Sequence, residues 1–149
     1  MNQGSVEMRR NFANAAQVLD HLRACDGAFV PRLSERLDID AYSHKIVDKA
    51  QRFEAWSNHQ LVGLVAAYCN SADGKTAFVT NVSVLPSWHS LGIASRLLVS
   101  CIATAHEMGF ERIELVVDLH NTAATLLYQK HGFTVTDTRN RSQTMHLAV

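Results

Sequence analysis

A chain of 149 residues, 47% apolar and 19% charged, has the composition of one globular domain and is long enough to bury ~70% of the surface its unfolded form exposes. Fourteen basic residues offset fourteen acidic ones, so no electrostatic footprint points to nucleic acid or an anionic membrane as a bulk partner. No apolar run approaches the roughly 18 residues of a membrane span, and the opening MNQGSVEMRR has no apolar leader core.

In chain order, Val6 to Arg9 can form a short first strand. Ala15, Val18, Leu19, Leu22 and Cys25 recur at helical spacing behind Asn14, a side chain suited to capping. Asp26-Gly27 ends that helix, and residues 28–38, with Pro31 and mixed charges, read as loop. Ile39 to Ala50 forms a second helix with Ile39, Tyr42, Ile46 and Val47 turned inward. Arg52 to Trp56 is a short strand, and Ser57-Asn58-His59 suits a hairpin turn. Leu61 to Cys69 is nearly all apolar, as expected of a strand buried on both faces. Asp73-Gly74 is another turn signal. Thr76 to Leu85 alternates and is rich in β-branched residues, and Pro86 stops it.

The clearest helix follows, with Leu91, Ala94, Leu97, Leu98, Cys101, Ile102 and Ala105 on one face and Gly109 at its close. Ile113 to Val117 is a strand, Asn121 to His131 a helix ending at Gly132, and Phe133–Thr136 and Thr144–Ala148 are strands. The order β-α-α-β-β-β-α-β-α-β-β predicts an α/β (α+β) fold of about seven strands. Its sheet is mixed, with helices on both faces and parallel neighbours in the second half.

Cys25, Cys69 and Cys101 are odd in number, far apart and each within an apolar stretch, which suits buried free thiols in a reducing cytoplasm. The eight histidines make no HxH or HxxxH pair and no cluster with cysteine, so no metal site is signalled.

Chemistry concentrates in two segments. In NVSVLPSWHSLGIAS, residues 81–95, a strand ends, a loop turns and a helix begins around Ser90 to Gly92. The first amides of a helix lack internal partners and, with the helix dipole, suit phosphate oxygens. Gly92 lets the backbone come close to such an anion. An ordinary strand–helix turn would look the same, and neither a three-glycine nor a Walker pattern is present. In NTAATLLYQKHGF, residues 121–133, Asn121, Ala124 and Tyr128 fall at i, i+3 and i+7 on one helical stripe. That stripe puts an amide and a phenol on the side of the Gly92 loop.

Together these segments resemble the GNAT superfamily of acyl-CoA-dependent N-acyltransferases. The family's [Gln/Arg]-x-x-Gly-x-[Gly/Ala] loop aligns on His89, Ser90, Leu91, Gly92, Ile93 and Ala94, with His89 in place of the usual Gln or Arg. Its Asn-x-x-Ala-x-x-Leu-Tyr-x-x-x-Gly-Phe pattern aligns on Asn121, Ala124, Leu127, Tyr128, Gly132 and Phe133.

The resemblance implies a single domain over residues 1–149 and splayed strands on either side of the long helix. It also implies acetyl-CoA as acyl donor without a metal. Val82, Ser83 and Val84 would pair with the pantetheine, and the Val84 amide would polarise the thioester carbonyl. The loop from His89 to Ser95, with the Ser90 and Ser95 hydroxyls, would hold the diphosphate, with Arg96 the nearest fixed positive charge. Asn121 would bond the pantetheine, and Tyr128 would protonate the leaving thiolate. The acceptor is then an amine of a small molecule or peptide, nucleic acid and membrane are not partners, and a homodimer is compatible with the pattern. A CoA-binding module without catalysis is the alternative.

Some relatives carry a glutamate base where this chain has Val116. His120, Asp118, Glu54, or water relayed by Asn81 or Tyr68, stay open as the base, while Trp56 and Trp88 read as packing residues. Residues 27–40 and 137–143, the regions that set acceptor choice in the family, carry mixed charge and leave the acceptor undefined.

Overall fold

Asn14 opens the first helix as its residue type suggests. Its side chain accepts from the Gln17 amide at 2.8 Å, and Gln17 returns the bond to the Asn14 amide at 2.9 Å, a reciprocal cap. The computed structural model describes residues 4–149. Met1 to Gln3, part of the opening segment expected to have no leader core, lie outside the described residues. Strand β1 (Glu7–Arg10) is followed by α1 (Ala15–Cys25), α2 (Ile39–Lys49), β2 (Ala50–Ser57), β3 (Gln60–Tyr68) and β4 (Thr76–Val84). Then come α3 (Ile93–Glu107), β5 (Arg112–Asp118), α4 (Thr122–Lys130), β6 (Thr134–Arg139) and β7 (Ser142–Ala148). Short 3-10 turns cover Asp26–Ala28, Leu33–Glu35 and Pro86–Trp88, so the stretch from 28 to 38 is not wholly irregular.

The seven strands form one sheet in the order β1-β2-β3-β4-β5-β7-β6. Only β4 and β5 run parallel as neighbours. The alternation of strands and helices in the second half suggests that β6 should also lie beside β5, but β7 is inserted between them. The reason is burial. Every residue of β6 is exposed, whereas β7 contributes Met145 to the core. The polar strand takes the edge and the more apolar one the interior.

Strand β3 is buried from Leu61 to Ala67 without a break, as a strand covered on both faces must be. Val65 and Ala67 join the core beneath α3, which also takes in Tyr128 and Phe133. Leu64 and Ala66 join the core beneath α1 and α2, with Val18, Leu22 and Ile46. Adjacent β3 residues thus feed opposite layers. In α3 the buried stripe is Ile93, Leu97, Leu98, Cys101 and Ala105. Leu91, expected on that stripe, precedes the helix and is 55% exposed. Cys25 and Cys101 are buried free thiols, while Cys69 is half-buried.

Gly63 fixes how closely α3 sits on β3. A β-carbon there would lie 2.7 Å from Ile93 Cγ2 and 3.2 Å from Leu97 Cδ1. Ile93 is β-branched and cannot swing aside cheaply. Gly63→Ala is therefore expected to cost about 1–3 kcal/mol through overpacking, read as a lower midpoint in urea with an unchanged slope.

Candidate active site

Strand β4 is where the sheet opens. Its pairing with β5 is confined to Thr76–Phe78 against Arg112–Glu114, although β4 continues to Val84 and β5 to Asp118. Beyond Phe78 the two strands diverge. The other edge of β4 stays paired, with Leu64 opposite Ser83 and Gly63 opposite Val84. Leu85 N–H donates to Val62 C=O at 2.9 Å, so Leu85 and Val62 face each other as a hydrogen-bonded pair. Antiparallel ladders alternate. Ser83 therefore spends its main-chain groups on Leu64, whereas the N–H and C=O of Val82 and Val84 turn toward the gap beside β5. Between Ala66 and Ala67 of β3 the register skips Thr80 of β4, a bulge on β4 that sets which of its residues face out beyond it.

That gap is a cleft of about 910 Å³. Val82, Ser83 and Val84 line one wall. His89, Ser90, Gly92, Ile93, Ala94 and Ser95 line the end where α3 begins, and Asn121, Ala124 and Tyr128 line the wall from α4. Of residues 82–84 and 89–95, Asn121 and Tyr128, expected from sequence on the donor side, only Leu91 is not part of the lining.

At the α3 end, Ser90 and Gly92 both have positive φ, 64° and 78°. No side chain caps the helix, and the first backbone bond inside it runs from Arg96 N–H to Gly92 C=O. The amides of Ile93, Ala94 and Ser95 are thus left without an internal partner. A β-carbon at Gly92 would meet nothing within 4 Å, so glycine is required there by the left-handed backbone rather than by neighbouring protein atoms. His89 does not reach out as an arginine would. Its Nε2 donates to Val84 C=O at 2.7 Å, closing the loop onto the strand end. The Ser95 hydroxyl is held by His131 Nε2 at 3.0 Å, and Arg96 is exposed and outside the lining.

Asn121 caps α4, its Oδ1 accepting from Ala124 N–H at 3.2 Å. That leaves its Nδ2 protons for the cleft, so the capping and binding readings of this residue are compatible. The Tyr128 ring packs at 59° to Phe133 with centroids 5.9 Å apart. Its side chain is 7% exposed, and burial pushes its phenol well above the ordinary tyrosine range. Such a hydroxyl stays protonated at neutral pH.

The sequence-level candidates for a base fare differently. Glu54 is fully buried on β2, away from the cleft, and accepts from Phe12 N, Ala13 N, Arg52 Nε and Trp56 Nε1. It is a structural carboxylate. Trp56 belongs to the same cluster, while Trp88 packs on the core and also lines the cleft. Val116 and Asp118 reach the lining, whereas His120 and Tyr68 do not. Asn81 lines the cleft and contacts Ser83 Oγ. Sequence reasoning passed over His21, which the fold buries against Ser83. No short-range signal marks it, since its partners lie 40 and 62 residues away.

A family model described as "Acetyltransferase (GNAT) family" matches residues 15–133. The chain belongs to the GNAT acetyltransferase family. The match runs from the start of α1 to Phe133, the residue before β6, and so includes both cleft walls and the α3 turn.

Among curated relatives, the uncharacterized N-acetyltransferase YdgE of Bacillus subtilis is 36% identical over 69 residues. That is 46% of this chain and 44% of the relative. The chloroplastic GCN5-related N-acetyltransferase 4 of Arabidopsis thaliana is 42% identical over 57 residues, 38% of this chain and 20% of the relative. The chain thus spans less than half the length of these curated relatives.

The GNAT fold itself is matched end to end. The PaiA N-acetyltransferase of Thermoplasma acidophilum, solved with coenzyme A, superposes with a TM-score of 0.79 at 15% identity, covering 97% of this chain and 99% of that one. A GNAT acetyltransferase of Elizabethkingia anophelis with acetyl-CoA bound gives 0.73 at 17%, covering 97% and 98%. At such identities the likeness is one of fold. No helix of the described residues is long and apolar enough to cross a membrane, and among them no group of three or more His, Cys, Asp or Glu could hold a metal ion.

Proposed function

We propose that this GNAT domain transfers an acetyl group from acetyl-CoA to a primary amine of a small molecule or peptide by direct attack, with Tyr128 protonating the departing thiolate. The observation that carries the reading is a convergence in one cleft. Outward main-chain groups of Val82 and Val84, unpartnered amides at the start of α3 and the phenol of Tyr128 all face the same space.

Coenzyme A presents the acetyl group as a thioester, an activated acyl donor whose carbonyl carbon an amine can attack. The residues present fit that donor. The Ile93, Ala94 and Ser95 amides and the positive end of the α3 dipole suit a diphosphate. Outward groups of Val82 and Val84 extend a strand ladder to a pantetheine amide, and the Asn121 Nδ2 offers a further donor. The Val84 N–H holds negative charge that develops on the carbonyl oxygen. Fixing donor and acceptor in line supplies much of the acceleration. Tyr128, kept neutral by burial, carries a proton available to sulfur.

A thiol-release assay with acetyl-CoA and a panel of primary amines tests this. Turnover with at least one amine is expected, and a thermal shift with CoA but no turnover on any amine would favour a non-catalytic binding module. Gly92→Ala must either hold a left-handed backbone at a cost of about 1–2 kcal/mol or rearrange the turn. Its expected effect is a CoA dissociation constant raised about tenfold by calorimetry, with the fold retained.

A further inference from the structure

Among the described residues the carboxylate of the cleft lining is Asp118, whose Oδ1 already accepts from the His120 amide at 2.8 Å, and a separate chain of polar groups leads out of the cleft. Ser83 lines the cleft from β4. Its Oγ lies 2.8 Å from His21 Nε2 and 2.7 Å from Asn81 Oδ1. His21, on α1, is 3% exposed and does not itself reach the cleft. Its Nδ1 lies 2.9 Å from Leu61 C=O.

A carbonyl oxygen can only accept, so in neutral His21 the ring proton resides on Nδ1 and Nε2 presents a lone pair. Ser83 has one hydroxyl proton and two acceptors in reach. The arrangement of hydroxyl, imidazole and orienting carbonyl is that of an activated alcohol.

We propose that Ser83 and His21 form the proton exit for the acceptor amine, Ser83 Oγ taking a proton from the attacking nitrogen while passing its own to His21 Nε2. This rests on the acyl-transfer reading above and names the base that reading leaves open. The balance closes. As the N–C bond forms, one N–H bond breaks and an O–H bond forms at Ser83. The original Ser83 O–H breaks and an Nε2–H bond forms. Tyr128 supplies the proton for the departing sulfur and regains one from water, and the imidazolium returns its proton to water through Ser83, so both groups end the cycle as they began it. Nothing is oxidised or reduced.

A nitrogen becomes strongly acidic as it bonds to the acyl carbon, so a weak base can accept from it. Burial lowers the His21 pKa to about 4 against the raising effect of its bonds to Leu61 and Ser83, so the imidazole is free to accept at neutral pH. Among the groups in contact with it, the other titratable one is Cys25, with Sγ 3.7 Å from Nε2. Burial raises that thiol to about 12, leaving it neutral. Leu61 of β3 and Ser83 of β4 bring no charge. Ser83 is the catalytic residue here, and His21 is a positioning residue that acts through it.

The test compares wild type, Ser83→Ala, Ser83→Thr and His21→Gln with acetyl-CoA and the amine panel. Ser83→Ala should lower kcat about a hundredfold with the KM for acetyl-CoA unchanged within about twofold, and Ser83→Thr should restore most of it. Corrected for the unprotonated fraction of the acceptor amine, wild-type kcat should be nearly flat from about pH 6 to about pH 9, while that of Ser83→Ala climbs as hydroxide replaces the relay. Nitrogen-15 spectra of the imidazole, which need no turnover, should show His21 neutral with the proton on Nδ1. His21→Gln should match Ser83→Ala, and the serine variants carry the test where the buried glutamine disturbs folding. Wild-type turnover with unaltered Ser83→Ala kinetics, or a proton on Nε2, would overturn the relay alone. Absence of turnover with every amine would overturn the acyl-transfer reading and the relay with it.

Discussion

Tyr128→Phe is expected to lower kcat for acetyl transfer by about two orders of magnitude or more, with the KM for acetyl-CoA within a few-fold of wild type. The ring stays, so its packing against Phe133 and the α3 layer is kept. Only the hydroxyl is lost. Folding should not suffer, because the phenol, at the cleft wall, makes no hydrogen bond among the described residues. The melting temperature should therefore stay within about 2 °C of wild type. This separates chemistry from structure. A variant that melts normally, binds CoA normally and has lost turnover identifies a proton donor. A variant with wild-type kcat would leave the thiolate to be protonated by water and remove Tyr128 from the mechanism.

The largest effect on stability should come from a residue outside the cleft. Glu54 is 0% exposed, and its carboxylate gathers two backbone amides, Arg52 Nε at 3.2 Å and Trp56 Nε1 at 2.9 Å. Arg52 is itself buried and donates onward to Val47 C=O and Ala13 C=O, each at 3.0 Å. The cluster thereby ties the entry to α1 and the end of α2 to β2. Glu54→Ala removes the acceptor and leaves a guanidinium and three N–H groups unmatched in the interior. Breaking one partner out of a buried pair costs about 3–5 kcal/mol, roughly 10 °C or more in melting temperature for a chain of this size. Thermal unfolding followed by circular dichroism checks it. Specific activity of the folded fraction should be unchanged, which distinguishes this role from that of a general base.

These two residues also show what the sequence could carry. The place of Tyr128 on the cleft wall was legible because Asn121, Ala124 and Tyr128 share a local period, and a helix converts that period directly into a face. The strand and helix order was legible for the same reason, since apolar spacing is a short-range property. Leu91 failed because its helical spacing extends two residues beyond the true start at Ile93, across Gly92 with its left-handed conformation. The place of β6 failed because sheet order depends on which strand has apolar faces to bury, not on chain order. Glu54, open as a base from sequence, is decided by partners 41 residues away at Ala13. His21 meets Ser83 only because α1 packs across β3 and β4. Such pairings are products of tertiary packing, and no spacing rule encodes them.

The divergence of β4 from β5 was implied by family resemblance rather than by any local pattern. It is visible as a ladder that ends at Phe78 while both strands continue. Everything proposed for the donor side depends on the amides this divergence exposes. An amide proton–nitrogen correlation spectrum of the uniformly labelled protein, titrated with CoA, reads them one by one. The account predicts the largest shifts at Val82, Val84 and Gly92 to Ser95, with β1 and β6 unmoved. Saturating CoA that leaves those six amides in place, or that shifts a different face of the sheet, would contradict it.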